Sequence, residues 1–181
     1  MKKTLVLIAF LAFLLAAWPN TARAQGGFEN VTGEALTKAV PDHFDLEKNH
    51  IPVQKIYAAL LKTGKGAHVV LGLLDTSASS PRIRRKYSGM LISETKISVC
   101  GISVDPGSYG FGLSPKLPGE DYGRFRLYNQ AGDPVGECDT KIDESLKVSK
   151  PLAVSTAKGG KTTLTLFKYA LEIQEQAGGH H

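Results

Sequence analysis

The sequence predicts a mainly β protein: a single antiparallel β-sandwich, or partly open barrel, of about seven or eight strands after a short N-terminal helical segment. Three observations predict this class. Large apolar residues alternate with small or polar ones over short runs, as in Tyr109–Leu113 and Arg124–Tyr128. Clusters of Gly, Pro, Ser, Asn and Asp separate these runs and favour turns. The run Val69–Leu74 is continuously apolar, which is typical of a strand covered on both faces.

The first 24 residues have the pattern of a secretory signal peptide. Lys2 and Lys3 precede an apolar run over Thr4–Trp18, and Ala22–Ala24 forms a small-x-small cleavage signature. We expect cleavage after Ala24. The alternative is an uncleaved anchor helix, but the apolar run is shorter than the ~20 residues that span a bilayer. The sequence therefore predicts an exported protein, periplasmic or extracellular, with no stable membrane insertion after cleavage.

The charge of the chain excludes one class of partner. The 181 residues include 22 basic and 17 acidic side chains. Lys2, Lys3 and Arg23 belong to the signal, so the remaining chain has a net charge of only about +2. Nucleic-acid-binding proteins carry a concentrated basic face. We therefore expect no nucleic-acid partner.

The cysteine count indicates a covalent cross-link. Cys100 and Cys138 are the only two cysteines, and an even number in an oxidising compartment favours a disulfide. Two buried free thiols are the alternative, because cysteine also packs well as a small apolar side chain. The spacing alone does not decide between them.

The chain divides into four predicted regions: the signal (1–24), a polar lead-in arm outside the core (25–50), the β domain (51–174) and a flexible tail (175–181) that ends in two histidines. Within the arm, Leu36, Ala39 and Val40 have helical spacing and end before Pro41, which predicts one short helix.

Residues 51–61 fit two structures. The periodicity favours a helix, because a helical stripe is matched by Val53, Ile56, Tyr57, Leu60 and Leu61. The following residues, 63–66, equally suit the tip of a hairpin between two strands.

Further strands are predicted over Tyr87–Ile92, Ile97–Val104 and Pro151–Ser155, with a surface loop over Asp75–Pro81. Gly159-Gly160 favours a two-residue hairpin turn. The alternation of apolar residues changes phase near Gly101 and again near Phe167–Lys168, which predicts a bulge or a sheet corner at the second position.

The segment Val99–Tyr109 reads VCGISVDPGSY. It resembles the strand, Pro-Gly turn and Tyr-containing strand of prealbumin-like and bacterial surface β-sandwich modules. The resemblance implies that the Pro-Gly pair makes the turn and that the tyrosine enters the core. It also implies an extracytoplasmic scaffold that binds or positions a partner, usually without catalysis.

Two groups of residues are predicted to bind a ligand. The basic run Arg82-Ile-Arg84-Arg85-Lys86 suits an anionic polymer, a phosphate or a lipid headgroup. Alternatively, it is a solvated edge strand whose charges prevent aggregation. In the second group, Tyr122 and Tyr128, together with Arg124, could bind carbohydrate, because sugar C–H faces stack on flat rings. Tyr128 is expected on the same face as Arg124 and Arg126. Packing of the tyrosines in the core or at its rim is the alternative.

Metal and cofactor sites are not predicted. Asp42, His43, Asp45 and His50 lie within nine residues and could ligate zinc or copper, but they lie in a polar segment and are expected to be solvated. His68 opens a strand and is expected at its rim, and His180 and His181 belong to the tail.

The predicted function is a non-catalytic binding or accessory module of the envelope or medium, with an envelope protein or an anionic or carbohydrate polymer as partner. The sequence has no nucleophile elbow, no HExxH, no phosphate-binding loop and no CxxC pair. One alternative is a secreted hydrolase that uses carboxylates such as Glu120, Asp121 or Asp143. A purely structural envelope protein is the other alternative.

Overall fold

The structure, a computed structural model, describes residues 27–146, 150–157 and 160–176. The predicted signal peptide, Gly159 and the two terminal histidines lie outside these residues. Strands account for 57% and helices for 8% of the structure, so the predicted mainly β class is confirmed. The helices of the described residues are α1 (Glu34–Ala39) and α2 (Pro81–Lys86). The strands are β1 (Glu29–Val31), β2 (His43–Leu46), β3 (Asn49–Lys62), β4 (His68–Leu74), β5 (Gly89–Ser93), β6 (Ile97–Val99), β7 (Ile102–Val104), β8 (Gly107–Ser114), β9 (Gly123–Asn129), β10 (Pro134–Ile142), β11 (Lys150–Thr156), β12 (Thr162–Phe167) and β13 (Tyr169–Glu175).

The strands form one antiparallel sheet that curls until its ends meet. Its order is β1-β3-β4-β5-β8-β9-β10-β13-β12-β11, with β2 paired to β3, and β6 paired to both β13 and β7. The hydroxyl of Thr156 on β11 donates to the carbonyl of Phe28 beside β1, at 3.1 Å. The sheet is therefore nearly closed and barrel-like, and it contains more strands than the seven or eight predicted.

The interior of this sheet is filled with apolar side chains from strands all around it. Phe111 and Phe125 lie in this interior with ring centroids 5.6 Å apart, and neither is more than 1% exposed. Each fully buried side chain of this size contributes about 2–3 kcal/mol of hydrophobic stabilisation. The main core also contains Phe28, Leu61, Leu71, Leu91, Leu127, Leu164, Leu171 and Ile173.

A second core lies on the other face of the sheet. It contains Phe44 and Leu46 from β2, Ile83 from α2, and Tyr87 and Met90, all at most 5% exposed. The expectation that residues 25–50 lie outside the core is therefore wrong. Exposed and buried residues alternate along β2. The polar side chains of this strand face solvent, and its apolar side chains face the second core.

The arm contains the predicted short helix, α1. The next segment, residues 51–61, has an apolar pattern that is misleading. Residues 51–61 belong to β3, so the helical interpretation is wrong and the hairpin alternative is correct. Ala59, Leu60 and Leu61 are all buried because β3 packs against the main core on one face and the second core on the other. Apolar residues at consecutive positions then mimic a helical stripe. The register between β3 and β4 also shifts between Gln54 and Ala58.

The basic run at 82–86 is helical, so the alternative that it forms a solvated edge strand is wrong. Pro81 occupies the first turn of α2, and the Ser80 side chain accepts a hydrogen bond from the amide of Ile83, which is the usual capping arrangement. Ile83 is fully buried in the second core. One buried residue among four cations is therefore the anchor of a short helix, and the following strand begins only at Gly89.

The two changes of phase mark chain reversals. Val99 pairs with Ile102 across the turn residues Cys100 and Gly101, whose φ values are 52° and 80°. Leu166 pairs with Tyr169 across a turn in which Phe167 has a φ of 59°. The second position is therefore a two-residue hairpin turn and not the predicted bulge or corner.

The connection between β11 and β12 is longer than predicted. Thr156 pairs with Thr162, and the amide of Ala157 donates to the carbonyl of Lys161. This register of the described residues does not fit a two-residue turn at Gly159-Gly160, the first residue of which lies outside the described part of the chain. Gly160 lies against Gly27, where an added Cβ would be 2.7 Å from the Gly160 Cα.

Cys100 and Cys138 form a disulfide with their Cα atoms 6.3 Å apart. The bond joins the β6–β7 turn to β10, two parts of the sheet that are separated by 38 residues in sequence. The predicted disulfide is confirmed. It fixes the inner side of β10, and the outer side of this strand carries the exposed Glu137 and Asp139.

Candidate binding face

The outer side of β9 carries a row of polar and aromatic side chains. Phe125 and Leu127 point into the main core, so the residues that alternate with them point outwards. We use the name β9 face for Tyr122, Arg124, Arg126 and Tyr128, together with Val135, Glu137 and Asp139 of the neighbouring β10.

Ion pairs connect the two strands of the β9 face. Arg126 lies opposite Glu137, and Arg124 lies opposite Asp139 in the strand register. The Nε of Arg126 is 3.0 Å from Glu137 Oε2, and the Nε of Arg124 is 3.4 Å from Asp139 Oδ1. These side chains are 39–55% exposed, so each pair adds at most about 1 kcal/mol to stability. Their unused donors and acceptors face solvent.

Tyr122 marks one end of the β9 face. The carboxylates of Glu137 and Asp139 raise the pKa of Arg124, and Tyr122 lies close enough to add a smaller effect in the same direction. The Tyr122 side chain is 37% exposed. Between the two ends, the Arg126 guanidinium donates a hydrogen bond to Ser114 Oγ at 3.3 Å.

Tyr128 marks the other end and is half-buried against the second core. The Tyr87 ring meets it edge-on, with centroids 5.4 Å apart, and the Lys86 ammonium lies 4.6 Å from its centroid. Burial raises the pKa of Tyr128, which keeps its hydroxyl neutral. A depression of about 270 Å³ lies beside this ring, lined by Arg126, Tyr128, Pro134, Val135, Gly136 and Glu137.

A partly buried carboxylate, that of Glu47, holds α2 beside Tyr128. Glu47 accepts from Lys86 Nζ at 2.5 Å and from the Tyr87 hydroxyl at 2.8 Å, and it also pairs with Arg82. The Glu47 side chain is only 12% exposed. Its backbone has a φ of 48°, in the left-handed region that costs non-glycine residues roughly 1 kcal/mol. The tight β2–β3 turn thus directs the carboxylate towards α2.

Glu47 makes stability depend on pH. Burial opposes ionisation of this carboxyl, but hydrogen bonds from Lys86, Tyr87 and Arg82 outweigh it and lower its pKa from 4.5 to about 2. The unfolded chain therefore binds this proton at a higher pH than the folded chain does. The resulting stabilisation is complete above about pH 5 and is lost as pH falls towards 2.

We expect Glu47→Gln to lose about 2 kcal/mol of stability at pH 7, because an amide cannot replace the charge. The expected loss is limited to this value because solvent screens part of the interaction with the exposed Arg82. The difference from wild type should shrink between pH 5 and pH 2. Urea unfolding across this range measures it, and Lys86→Met, which removes the principal donor, should flatten the same pH dependence. A constant difference between Glu47→Gln and wild type at every pH would contradict the assignment.

The structure brings several of the predicted residues together. Lys86, Tyr128, Arg124 and Tyr122 follow one another from α2 along the β9 face. Arg82 is engaged by Glu47. Arg84 and Arg85 point from the exposed side of α2 and have no acidic partner among the described residues; the Arg84 guanidinium donates to the carbonyl of Ser77 at 3.3 Å.

Four members of this arrangement were not predicted from the sequence: Glu47, Val135, Glu137 and Asp139. The alternation of Glu137 and Asp139 around Cys138 was a usable signal, because a hairpin between two such strands places these acids opposite Arg126 and Arg124. Glu47 had no comparable signal, since its partners lie 35 or more positions away in sequence.

The histidines considered as metal ligands or strand-rim residues contact neighbouring side chains. The rings of His43 and His50 stack with centroids 4.3 Å apart, and His50 Nδ1 lies 2.7 Å from Asp45 Oδ1. In the described part of the chain, no three His, Cys, Asp or Glu side chains are arranged to hold a metal ion. His68 lies at the start of β4, where its Nδ1 is 3.1 Å from Glu94.

Two of the three carboxylates named for a hydrolase accept hydrogen bonds within local loops. Glu120 accepts from the amide of Leu117 at 3.2 Å, and Asp143 accepts from the amide of Ser145 at 3.0 Å. These hydrogen bonds stabilise the two loops in which the acids lie. No helix of the described residues has the length and hydropathy needed to cross a bilayer.

No protein-family model, curated protein or solved structure matches this chain. The resemblance of Val99–Tyr109 to prealbumin-like modules therefore stays a prediction. In the structure, β7 ends at Val104 and β8 begins at Gly107. Tyr109 packs against the main core and its hydroxyl donates to the carbonyl of Asp105 at 2.9 Å, so this tyrosine stabilises the turn that precedes it.

Proposed function

We propose that the protein is an exported, non-catalytic binding or accessory module that acts in the cell envelope or the medium and binds its ligand on the β9 face. The β9 face carries the proposal: it combines exposed hydrogen-bonding groups with aromatic rings at both ends. The pattern of residues 1–24 and the disulfide, which is compatible with an oxidising compartment, support export.

The scaffold beneath the β9 face is suited to binding. Phe125 and Leu127 anchor β9 in the main core, and the disulfide holds β10 from behind. Glu47 fixes α2 against the Tyr128 end. A surface held in this way loses little conformational freedom when a ligand binds, which favours affinity.

The interior of the barrel-like sheet is filled by side chains and is not the proposed binding site. The barrel-like sheet encloses the large side chains of the main core, so ligands have to bind outside it. The β9 face has the exposed polar groups and the depression of about 270 Å³ that a ligand on the outside requires.

Binding to the β9 face is tested with mature protein, beginning at Gln25, and with preparations of envelope polymers immobilised on a surface. Tyr122→Ala and Arg126→Ala should each weaken binding at least tenfold, because each removes an exposed contact of the β9 face. Lys62→Ala, an exposed change on β3, is the matched control and should bind like wild type. Wild-type affinity in both β9-face variants, or hydrolysis of the bound polymer by wild type, would contradict the proposal.

A further inference from the structure

We infer that the ligand of the β9 face is an uncharged polysaccharide whose chain runs along β9 from Tyr122 to Tyr128. This inference rests on the function proposed above and names the class of ligand. It depends on the charge balance of the β9 face, on the position of its two rings and on its length.

The charges of the β9 face cancel. It holds two guanidinium groups, Arg124 and Arg126, and two carboxylates, Glu137 and Asp139, paired across the strands at 3.0 and 3.4 Å. A polyanion would meet the carboxylates and a polycation would meet the guanidinium groups. A sugar hydroxyl both donates and accepts hydrogen bonds, as serine and threonine hydroxyls do, so a row of alternating donors and acceptors suits a neutral sugar.

The two rings supply apolar contact. C–H groups of a pyranose carry partial positive charge and pack against the negative face of an aromatic ring. Tyr122 is accessible for this contact. Tyr128 is held in place by the edge of Tyr87 and by Lys86, and it borders the depression of about 270 Å³, where Val135 adds a second apolar wall that is 40% exposed.

The length of the β9 face favours a chain over a single sugar. Six residue steps separate Tyr122 from Tyr128, which corresponds to about 20 Å along an extended strand. One monosaccharide can contact only one of the two rings at this separation. An oligosaccharide can contact both rings and the ion pairs between them.

The remaining cations allow charged and neutral ligands to be distinguished. Arg84 and Arg85 have no acidic partner among the described residues, and they project from α2 outside the β9 face. A polyanion would be attracted to them, and its binding would weaken steeply with salt. A neutral polysaccharide on the β9 face needs neither arginine.

The test uses soluble polysaccharides and the purified mature protein. The neutral probes are dextran, hydroxyethyl cellulose and galactomannan, and the acidic probes are polygalacturonate and alginate. We expect at least one neutral probe to bind with an affinity that changes less than twofold between 0.05 and 0.5 M salt, as for uncharged ligands. Tyr122→Ala should lower this affinity at least tenfold, and Tyr122→Phe, which keeps the ring, should restore it.

The charge-reversal variant Arg84→Glu/Arg85→Glu should bind the neutral probe like wild type. Binding of the acidic probes alone, with loss in this variant, would overturn the inference about ligand class. If Tyr122→Ala still weakened that binding, the proposed function would stand. Failure of all five probes would also overturn the inference. Binding that no change on the β9 face weakens would overturn both proposals.

Discussion

Replacement of Gly112 by alanine is expected to lower the free energy of unfolding by about 3 kcal/mol, the upper part of the range for overpacking. Gly112 lies on the outer side of β8, directly under α2, and an added Cβ would overlap the backbone carbonyl oxygen of Lys86. This oxygen cannot rotate away as a side chain can, so α2 must move. The movement would also pull Lys86 away from Glu47. Urea unfolding of the purified variant measures the loss.

Gly64→Ala is the matched control for this change. Gly64 lies in the β3–β4 turn, where an added Cβ would meet nothing within 4 Å. Its φ is not among the positive values. We expect this variant to remain within about 0.5 kcal/mol of wild type. If Gly112→Ala were equally neutral, α2 would not pack on β8 as described.

Removal of the disulfide by Cys100→Ala/Cys138→Ala is expected to cost about 4 kcal/mol, the loop-closure entropy for a cross-link between residues 38 positions apart. The bond restricts the unfolded chain more than the folded chain, because it joins the β6–β7 turn to a strand that is distant in sequence. The loss is measured by urea unfolding as the difference in the free energy of unfolding extrapolated to water, with the slope fitted separately for each protein because removing a cross-link exposes more surface in the unfolded chain.

A reducing agent provides the control for the disulfide. Dithiothreitol should lower the stability of wild type to that of the double variant and should leave the double variant unchanged. Equal stability of oxidised and reduced wild type would show that the cross-link does not restrict the unfolded chain as expected.

The strands that could be predicted from the sequence are those with one dominant environment. β4 is covered on both faces and reads as a continuous apolar run, and β9 has one buried and one exposed face and alternates. β3 was misleading because its environment changes along its length: buried and exposed residues alternate up to Val53, the register with β4 shifts between Gln54 and Ala58, and the residues at 59–61 are all buried. α2 has only one buried residue, Ile83, which is too little to establish a helical period in six residues.

The composition of the β9 face was partly predictable. Tyr122, Arg124 and Tyr128 share a face through simple alternation, which needs no tertiary information. Their acidic partners depend on the register between β9 and β10, and that register contains a shift between Pro134 and Gly136. The contact between Lys86 and Tyr128 depends on the placement of α2 by Glu47, a long-range interaction that no local pattern encodes.

The β9 face as a ligand surface is tested most directly by nuclear magnetic resonance of the ¹⁵N-labelled mature protein, titrated with a soluble neutral oligosaccharide. We predict that amide shifts change along 122–128 and 135–139, and that the β3–β4 turn at 63–66 stays unchanged. Shift changes confined to any other part of the barrel-like sheet, with none along β9, would contradict the account.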